Sequence, residues 1–338
     1  MTWTAWRQQR YAFLAFTVVT AVLIGWAVLS GTHAQANLDK YLAAPCHGGN
    51  GFNLKYQTYC LGLDRGTVVT YRNIIALLGV VLAASLGVVL GAGAVASDLE
   101  NGTVRLAWTQ SITRTHWFTT KILVGVGSVA ILTMPLSITF NWWVHASRYD
   151  LRISPNGFAI SGWMLLVVGV FAFAVAVFVG TLIRRAGWTV AVALVFTIFA
   201  STVMQNDVRS HLVPSNIAPV VTTVVTKGAT TVHATHGTTP PNAWVLYAGY
   251  IPAGSRSVPL WQATFSMNSK VQSCLQKSTA GTRNTESSCL HILGLRNVQI
   301  YLSDSQFWTL QLRDGGLYLA GVVLLVVASS AVLRRRRA

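Results

Sequence analysis

Charged residues are scarce in this sequence. They make up 10% of its 338 residues, while 52% are hydrophobic; soluble domains carry about 25% charged residues. This composition excludes an ordinary soluble globular domain and predicts a membrane protein.

The net charge of +16 has two common explanations. A basic stripe on a soluble fold would indicate nucleic-acid binding, whereas arginines beside apolar runs are typical of membrane edges. The arginines that flank apolar runs are Arg7, Arg10, Arg184, Arg185 and Arg334 to Arg337. We therefore expect contact with membrane lipid and no binding of nucleic acid.

Motifs of nucleotide and metal chemistry are also missing. The sequence has no G-x-x-x-x-G-K-[ST] phosphate loop and no H-E-x-x-H zinc motif. His233 and His236 have a spacing found in metal sites, but no Cys, Asp or Glu is close to them in sequence. A Thr-rich loop is the favoured interpretation of that segment. We predict no catalytic, metal or cofactor site in this chain, which makes a membrane-embedded enzyme the weakest functional hypothesis.

Long apolar runs are what the sequence has in place of charge. A helix needs about 20 apolar residues to cross the hydrocarbon core, and six runs approach or exceed that length. They cover residues 11–30, 74–96, 122–143, 158–183, 186–204 and 315–333. The sequence thus predicts an all-α polytopic membrane protein with six transmembrane helices. The first run is longer than the apolar region of a cleaved signal peptide, so we expect it to be retained.

None of these runs contains an Asp, Glu, Lys or Arg. Ionisable residues within spans mark proton relays, ion pathways and voltage sensors. Their absence argues against an ion-coupled transporter, a proton pump or a charge-lined channel. If the protein transports a substrate, we expect the energy to come from another chain.

The distribution of Lys and Arg predicts the orientation, because short basic loops stay in the cytoplasm. Both termini are predicted to be cytoplasmic. The predicted organisation is a first span in 1–30, an extracytoplasmic loop in 31–73, spans two to five in 74–204 with a cytoplasmic loop at 97–121, a large extracytoplasmic domain in 205–314, and a sixth span with a basic tail in 315–338. Trp3 and Trp6 beside Arg7 and Arg10 favour an interfacial helix before the first span, or else an ordinary basic, aromatic flank.

All four cysteines fall in the two long loops predicted to lie outside. They are Cys46, Cys60, Cys274 and Cys289. An even number outside the cell indicates disulfides, and proximity in sequence favours Cys46–Cys60 and Cys274–Cys289, although four cysteines allow three connectivities. Free thiols and a bridge between the loops stay open. The Thr/Val-rich runs after residue 219 favour strands, so we expect 205–314 to form a small domain.

Two glycines four residues apart, Gly87 and Gly91, mark the second run. Small residues at this spacing let helix backbones approach closely in lipid. Packing within the chain is the favoured interpretation, and a subunit interface is the alternative.

The polar segment 96–121 interrupts the apolar runs. It begins with Asp98 and Glu100, has a turn signal at Asn101-Gly102, and ends in Lys121. It is too polar for the bilayer and too short for a domain. The segment suits docking against another protein; a plain interfacial hairpin is the alternative.

The order of residues in this segment resembles a known family. Permease subunits of ABC-2-type exporters have, between spans two and three, a Glu, then Gly-Thr, a hydrophobic stretch, Ser-x-x-Arg, and a Lys that opens the third span. The matching positions are Glu100, Gly102-Thr103, Leu106-Ala107, Ser111 to Arg114, and Lys121. Thr109-Gln110-Ser111 departs from a Pro-containing turn that many members have. The C-terminal stretch resembles such permeases from actinomycetes.

The resemblance implies a partner that supplies energy. It implies an ABC ATPase dimer that binds ATP and Mg, a second permease copy, a bacterial cell membrane, and export of a hydrophobic or amphiphilic substrate. It also implies that Glu100 and Arg114 are polar anchors of a coupling element or contacts of the ATPase, that Gly102 permits its turn, and that Thr103 belongs to the same element. Lys121 is expected to anchor the third span at the membrane interface. The alternative function is a non-transporting sensor, immunity or scaffold protein whose extracytoplasmic domain binds a ligand.

Overall fold

The structure is a computed structural model. It describes residues 2–43, 66–102, 113–146, 152–227, 230–237, 239–240, 242–253, 270, 273 and 291–335. It divides into two compact units, Met1–Arg209 with Trp308–Ala338, and Ser210–Phe307. All four cysteines lie outside the described residues, so their disulfide pairing stays a prediction.

The first unit is helical. Its helices are α1 (Thr2–Ala43), α2 (Gly66–Gly91), α3 (Ser97–Glu100), α4 (Arg114–Ala146), α5 (Pro155–Ile160), α6 (Met164–Ile183), α7 (Ala186–Val203) and α8 (Phe307–Arg335). A π-helical segment, Ala92–Ala96, joins α2 to α3, and a second one, Met204–Val208, continues α7. Among the described residues, six helical stretches are long and apolar enough to cross a membrane. The prediction of six helical spans is confirmed at this level.

The fourth span differs from its prediction. The run 158–183 was expected to be one helix, but the structure breaks it into α5 and α6. α5 begins where the Ser154 side chain accepts the backbone N–H of Gly157 and Pro155 takes the first helical position. Gly162 ends it with φ of 63°, a conformation that a helix does not contain. Apolarity alone does not reveal such a break, because the residues on both sides of it are buried.

The helix that contains the first apolar run extends beyond that run. α1 is one continuous helix from Thr2 to Ala43. The N-terminal Trp/Arg segment is therefore helical and continuous with the first span, and its position at the membrane interface stays a prediction.

The close approach of α2 and α6 explains the paired glycines. A Cβ on Gly91 would lie 2.6 Å from the carbonyl oxygen of Phe173, and one on Gly87 would collide with the carbonyl of Gly169. Only residues without a side chain allow the two backbones to pack at this distance. Packing within the chain is therefore the correct interpretation of this glycine pair.

Contacts between helices define two ends of the helical unit. Leu333 of α8 packs with Trp117 and Phe118 near the start of α4, and this end, which also carries Glu100, is called the Glu100 end. At the other end, called the Arg209 end, Asn156 donates a hydrogen bond to the Asn73 side chain at 2.9 Å. Consecutive spans alternate in direction, so the start of α1 and the end of α8 share the Glu100 end.

The second unit contains a four-stranded antiparallel sheet of order β2-β1-β4-β3. The strands are β1 (Asn216–Lys227), β2 (Thr230–Gly237), β3 (Trp244–Pro252) and β4 (Leu295–Leu302). Tyr247, Ile251, Val298 and Ile300 form a buried cluster on this sheet. Two predictions need correction here. The all-α class holds for the helical unit alone, and the segment with His233 and His236 forms β2 rather than a loop. Its β-branched residues, Thr230, Thr231, Val232 and Thr235, favour a strand.

Candidate functional site

The polar segment begins with a short helical turn and a reversal. α3 carries Asp98 and Glu100, and the backbone N–H of Asn101 donates to the Ser97 carbonyl at 3.0 Å. Gly102 follows with φ of 70°, which L side chains rarely adopt. The predicted turn at Asn101-Gly102 is confirmed. Thr103, Leu106-Ala107 and Ser111 lie outside the described residues.

Asp98 and Lys121 form a buried ion pair at the Glu100 end. The Lys121 Nζ lies 3.0 Å from Asp98 Oδ2, with the two side chains 6% and 7% exposed. That Lys121 anchors the third span at the membrane interface stays a prediction; within the chain its ammonium is held by Asp98. Removing one member of such a pair leaves an uncompensated buried charge, so the pair fixes the end of α3 against α4.

Glu100 binds the start of another span. Its Oε2 accepts a hydrogen bond from the backbone N–H of Ala186 at 2.8 Å. Ala186 is the first residue of α7, where free N–H groups and the helix dipole favour a negative charge. Glu100 itself is exposed. Of the two roles predicted for it, this geometry provides the polar anchor, by a contact within the chain.

The chain between α6 and α7 is short and basic. Arg184 ends α6 in a left-handed conformation with φ of 58°, and its N–H donates to the Gly180 carbonyl at 3.0 Å. Two arginines thus connect the spans directly beside the Glu100 contact.

Arg114 is the first residue of α4. Thr113 precedes it and accepts the backbone N–H of His116 at 3.3 Å through its hydroxyl. Arg114 lines a cavity with residues of α8. Glu100 thus contacts α7, and Lys121 contacts α3. Arg114 instead shares a cavity with residues of α8.

Asp98 was not predicted as a site residue, and neither was the polar cluster at the Arg209 end. There Arg209 Nε lies 2.8 Å from Asp314 Oδ2, with side chains 4% and 0% exposed. The Arg209 guanidinium also stacks over the Phe158 ring at 4.4 Å. Both charged residues border apolar runs, 186–204 and 315–333, and that position is the signal that could have found them.

Gln311 of α8 occupies the break between α5 and α6. Its side-chain amide donates to the Ser161 carbonyl at 2.8 Å, and its oxygen accepts the Trp163 N–H at 3.4 Å. A Cβ on Gly162 would collide with the Gln311 side chain. Gln311 thus satisfies the backbone groups that the break frees, which an apolar environment requires.

A comparison with known families adds to this geometry. The family model described as ABC-2 membrane transporter related matches residues 17–209. The chain belongs to this family. The match includes Glu100, Arg114 and Lys121, and it ends at Arg209, where the helical unit also reaches its first boundary. Family membership makes the chain an ABC-2-type permease, a membrane transport component whose family associates with an ABC ATPase. No curated protein and no solved structure matches this permease significantly.

Proposed function

We propose that the permease is the transmembrane subunit of an ATP-driven ABC exporter. A separate ATPase subunit binds and hydrolyses ATP, and the permease moves a hydrophobic or amphiphilic substrate, a drug, lipid or peptide, out of the cell. The observation that supports this proposal is the bonding of segment 97–121 at the Glu100 end. Two short polar contacts connect its first turn, which continues α2, to α4 and α7.

These contacts provide a route for force. A displacement of the turn at Asn101-Gly102 acts on α2 directly, because α3 and the π-helical segment continue that helix. The ion pair of Asp98 with Lys121 transfers the displacement to α4. The hydrogen bond from Ala186 to Glu100 transfers it to α7. A partner that binds the turn therefore moves the ends of three spans together.

The proposed assembly contains two permease copies and two ATPase subunits in a bacterial cell membrane, with both termini in the cytoplasm. The arrangement of basic residues supports this orientation. Arg184 and Arg185 lie between α6 and α7, and Arg334 and Arg335 end α8, all at the Glu100 end. Basic residues at one end of the spans mark the cytoplasmic side.

The test is reconstitution of the permease with its ATPase in vesicles. We compare the wild type with Glu100→Ala, and use Asp207→Ala as the matched control, because Asp207 is an exposed acid beyond the opposite end of α7. Loss of a helix N-terminal acceptor costs about 1 kcal/mol, or about a fivefold change in an equilibrium. We expect Glu100→Ala to retain folding and lose ATP-dependent export by at least that factor.

Two readouts separate assembly from coupling. Co-purification with the ATPase reports assembly, and export per ATP hydrolysed reports coupling; Arg114→Ala is measured in the same way. Unchanged complex formation together with unchanged export in both Glu100→Ala and Arg114→Ala would refute the coupling role of this segment.

A further inference from the structure

The helix that leads to the Glu100 end contains a wide turn. In the π-helical segment Ala92–Ala96, between α2 and α3, the backbone N–H of Ser97 donates to the Ala92 carbonyl, five residues earlier. In an α-helix this N–H would bond four residues earlier, to Gly93. The segment thus holds one residue more than an α-helix of the same number of turns. Such insertions occur frequently at functional sites.

The extra residue decides which side chains face α4 and α7. In an uninterrupted α-helix of the same sequence, each residue after the wide turn would rotate by about 100° and move by about 1.5 Å. The position of Asp98 would then be taken by Ser97, and that of Glu100 by Leu99. Both the ion pair with α4 and the hydrogen bond with α7 would be lost together.

The helix is fixed just before the wide turn. Gly91 lies so close to α6 that a Cβ on it would be 2.6 Å from the carbonyl oxygen of Phe173. Buried Gln9 of α1 donates a hydrogen bond to the Leu90 carbonyl at 3.4 Å. A Cβ on Gly93, by contrast, would meet no atom of the described residues within 4 Å. The extra residue therefore has room at Gly93, without disturbing the packing of α2 on α6.

A second wide turn lies at the opposite end of the helical unit. The segment Met204–Val208 is also π-helical, and the Arg209 N–H donates to the Met204 carbonyl. Arg209 follows this segment directly and pairs with Asp314. At both ends a wide turn thus comes just before a charged residue of a buried ion pair. This recurrence supports a role of the wide turns in setting the register of the pairs.

We propose that the segment Ala92–Ala96 is a register switch for the coupling contacts. With the wide turn in place, Asp98 and Glu100 hold α4 and α7. When the wide turn moves along the helix past Glu100, both contacts are released in one step. The movement keeps the helical hydrogen bonds, because each N–H exchanges one carbonyl for the next. The inference rests on the proposed function, since it supplies a motion by which a partner at the Asn101-Gly102 turn would act on two spans.

Deletion of Gly93 tests the proposal. It turns the segment into an α-helix and retains both contacts, so it locks the switch. Hydrogen exchange of residues 92–100 is measured on the purified full-length permease without the ATPase, and we expect the deletion to slow it while the unfolding midpoint stays that of the wild type. In vesicles with the ATPase, we expect export per ATP hydrolysed to fall roughly tenfold, within the range of couplings between sites.

Two controls isolate the effect of length in this segment. Gly93→Ala keeps the number of residues and adds a side chain where there is room, so exchange and export should both remain. Deletion of Ser85, about two turns earlier in α2, places the residues on its two sides out of register with each other. We expect this deletion to lower the unfolding midpoint, because an α-helical stretch has no residue to spare.

Each remaining outcome decides the proposal. If deletion of Gly93 destabilised as much as deletion of Ser85, the assignment of the extra residue would be overturned. Unchanged exchange in the Gly93 deletion would overturn the switch, and unchanged export would overturn its role in coupling. A wild type without ATP-dependent export would instead refute the proposed exporter function, and the exchange comparison would then decide the switch by itself.

Discussion

The two ends of the helical unit are built from the same kinds of contact but differ in exposure. Each has a buried ion pair, Asp98 with Lys121 or Arg209 with Asp314, at 3.0 and 2.8 Å. Each also has a side chain that binds backbone groups of another helix, exposed Glu100 at one end and buried Gln311 at the other. The backbone contact of Gln311 is closed within the chain, whereas the carboxylate of Glu100 is exposed and a partner can reach it.

This difference separates the contacts that stabilise the fold from the contact that is proposed to serve coupling. Inside a low-dielectric region, breaking an ion pair is costly because the remaining charge is uncompensated. Gln311 and the Arg209 pair therefore serve to hold α8 against α5 and α6. The contact of exposed Glu100 is weaker, since water competes for the carboxylate, and it can break and re-form. A contact of that strength suits a site that must move.

The largest expected effect is at the Arg209 end. Arg209→Met leaves Asp314 buried without its cation, so the free energy of unfolding should fall by about 3–5 kcal/mol. Thermal unfolding of the detergent-solubilised permease measures the loss.

The double variant Arg209→Met/Asp314→Leu provides the control. Buried Arg209 Nη1 and Asp314 Oδ1 have no hydrogen-bond partner within the part of the chain that the structure describes, so two apolar side chains should recover most of the stability. A double variant no more stable than Arg209→Met would contradict the importance of this pair.

A similar but smaller loss is expected at the Glu100 end. Lys121→Met should destabilise by about 3 kcal/mol, because Asp98 is buried too. Lys121→Met/Asp98→Leu should recover stability while export remains impaired, since the connection from α3 to α4 is lost. If this double variant recovered export together with stability, the ion pair of Asp98 with Lys121 would serve stability alone, as the pair at the Arg209 end does.

Gly162→Ala should cost about 1–3 kcal/mol. The φ of 63° disfavours a side chain, and the new Cβ collides with Gln311. The matched control is Gly316→Ala on α8, where a Cβ would meet no atom within 4 Å and a helix should gain slightly. Unfolding midpoints of the two variants provide the comparison. Equal midpoints would argue against a stabilising contact between Gln311 and the break at Gly162.

The smallest effect on stability is expected for Glu100→Ala, at about 1 kcal/mol. Asp207→Ala serves again as the control, and hydrogen exchange at the first turn of α7 is the sensitive measurement. Faster exchange there in Glu100→Ala alone is the expected outcome. Identical exchange in both variants would mean that Glu100 does not stabilise the start of α7.

Much of the helical unit could be predicted because the hydrophobic transfer of a span is the sum over consecutive residues. Five of the six apolar runs lie on one helical stretch each, and Gly102 in the Asn101-Gly102 turn has the positive φ that glycine favours. The break at Gly162 could not be predicted in this way. A short helix and a span have the same apolar composition, and the deciding contact comes from Gln311, 150 residues later than Ser161.

The candidate site could also be predicted only in part, because its contacts join segments that are far apart in sequence. Glu100 and Lys121 could be chosen from their types and order, but their partners could not. Glu100 binds Ala186 across 86 residues of sequence, and Lys121 proved to be buried. A charge beside an apolar run is compatible with lipid headgroups, water or an ion pair. Only the neighbouring helix decides among them.

The sequence by itself determined how many helices cross the membrane and which of their borders are basic, because hydrophobic transfer and the distribution of charge depend on composition along the chain. The tertiary structure decided which polar groups meet. Arg209 and Asp314 are 105 residues apart, and the local sequence around either residue does not reveal its partner. Their pairing depends on which helices pack together, since a buried charge is stable only where packing brings an opposite charge to it.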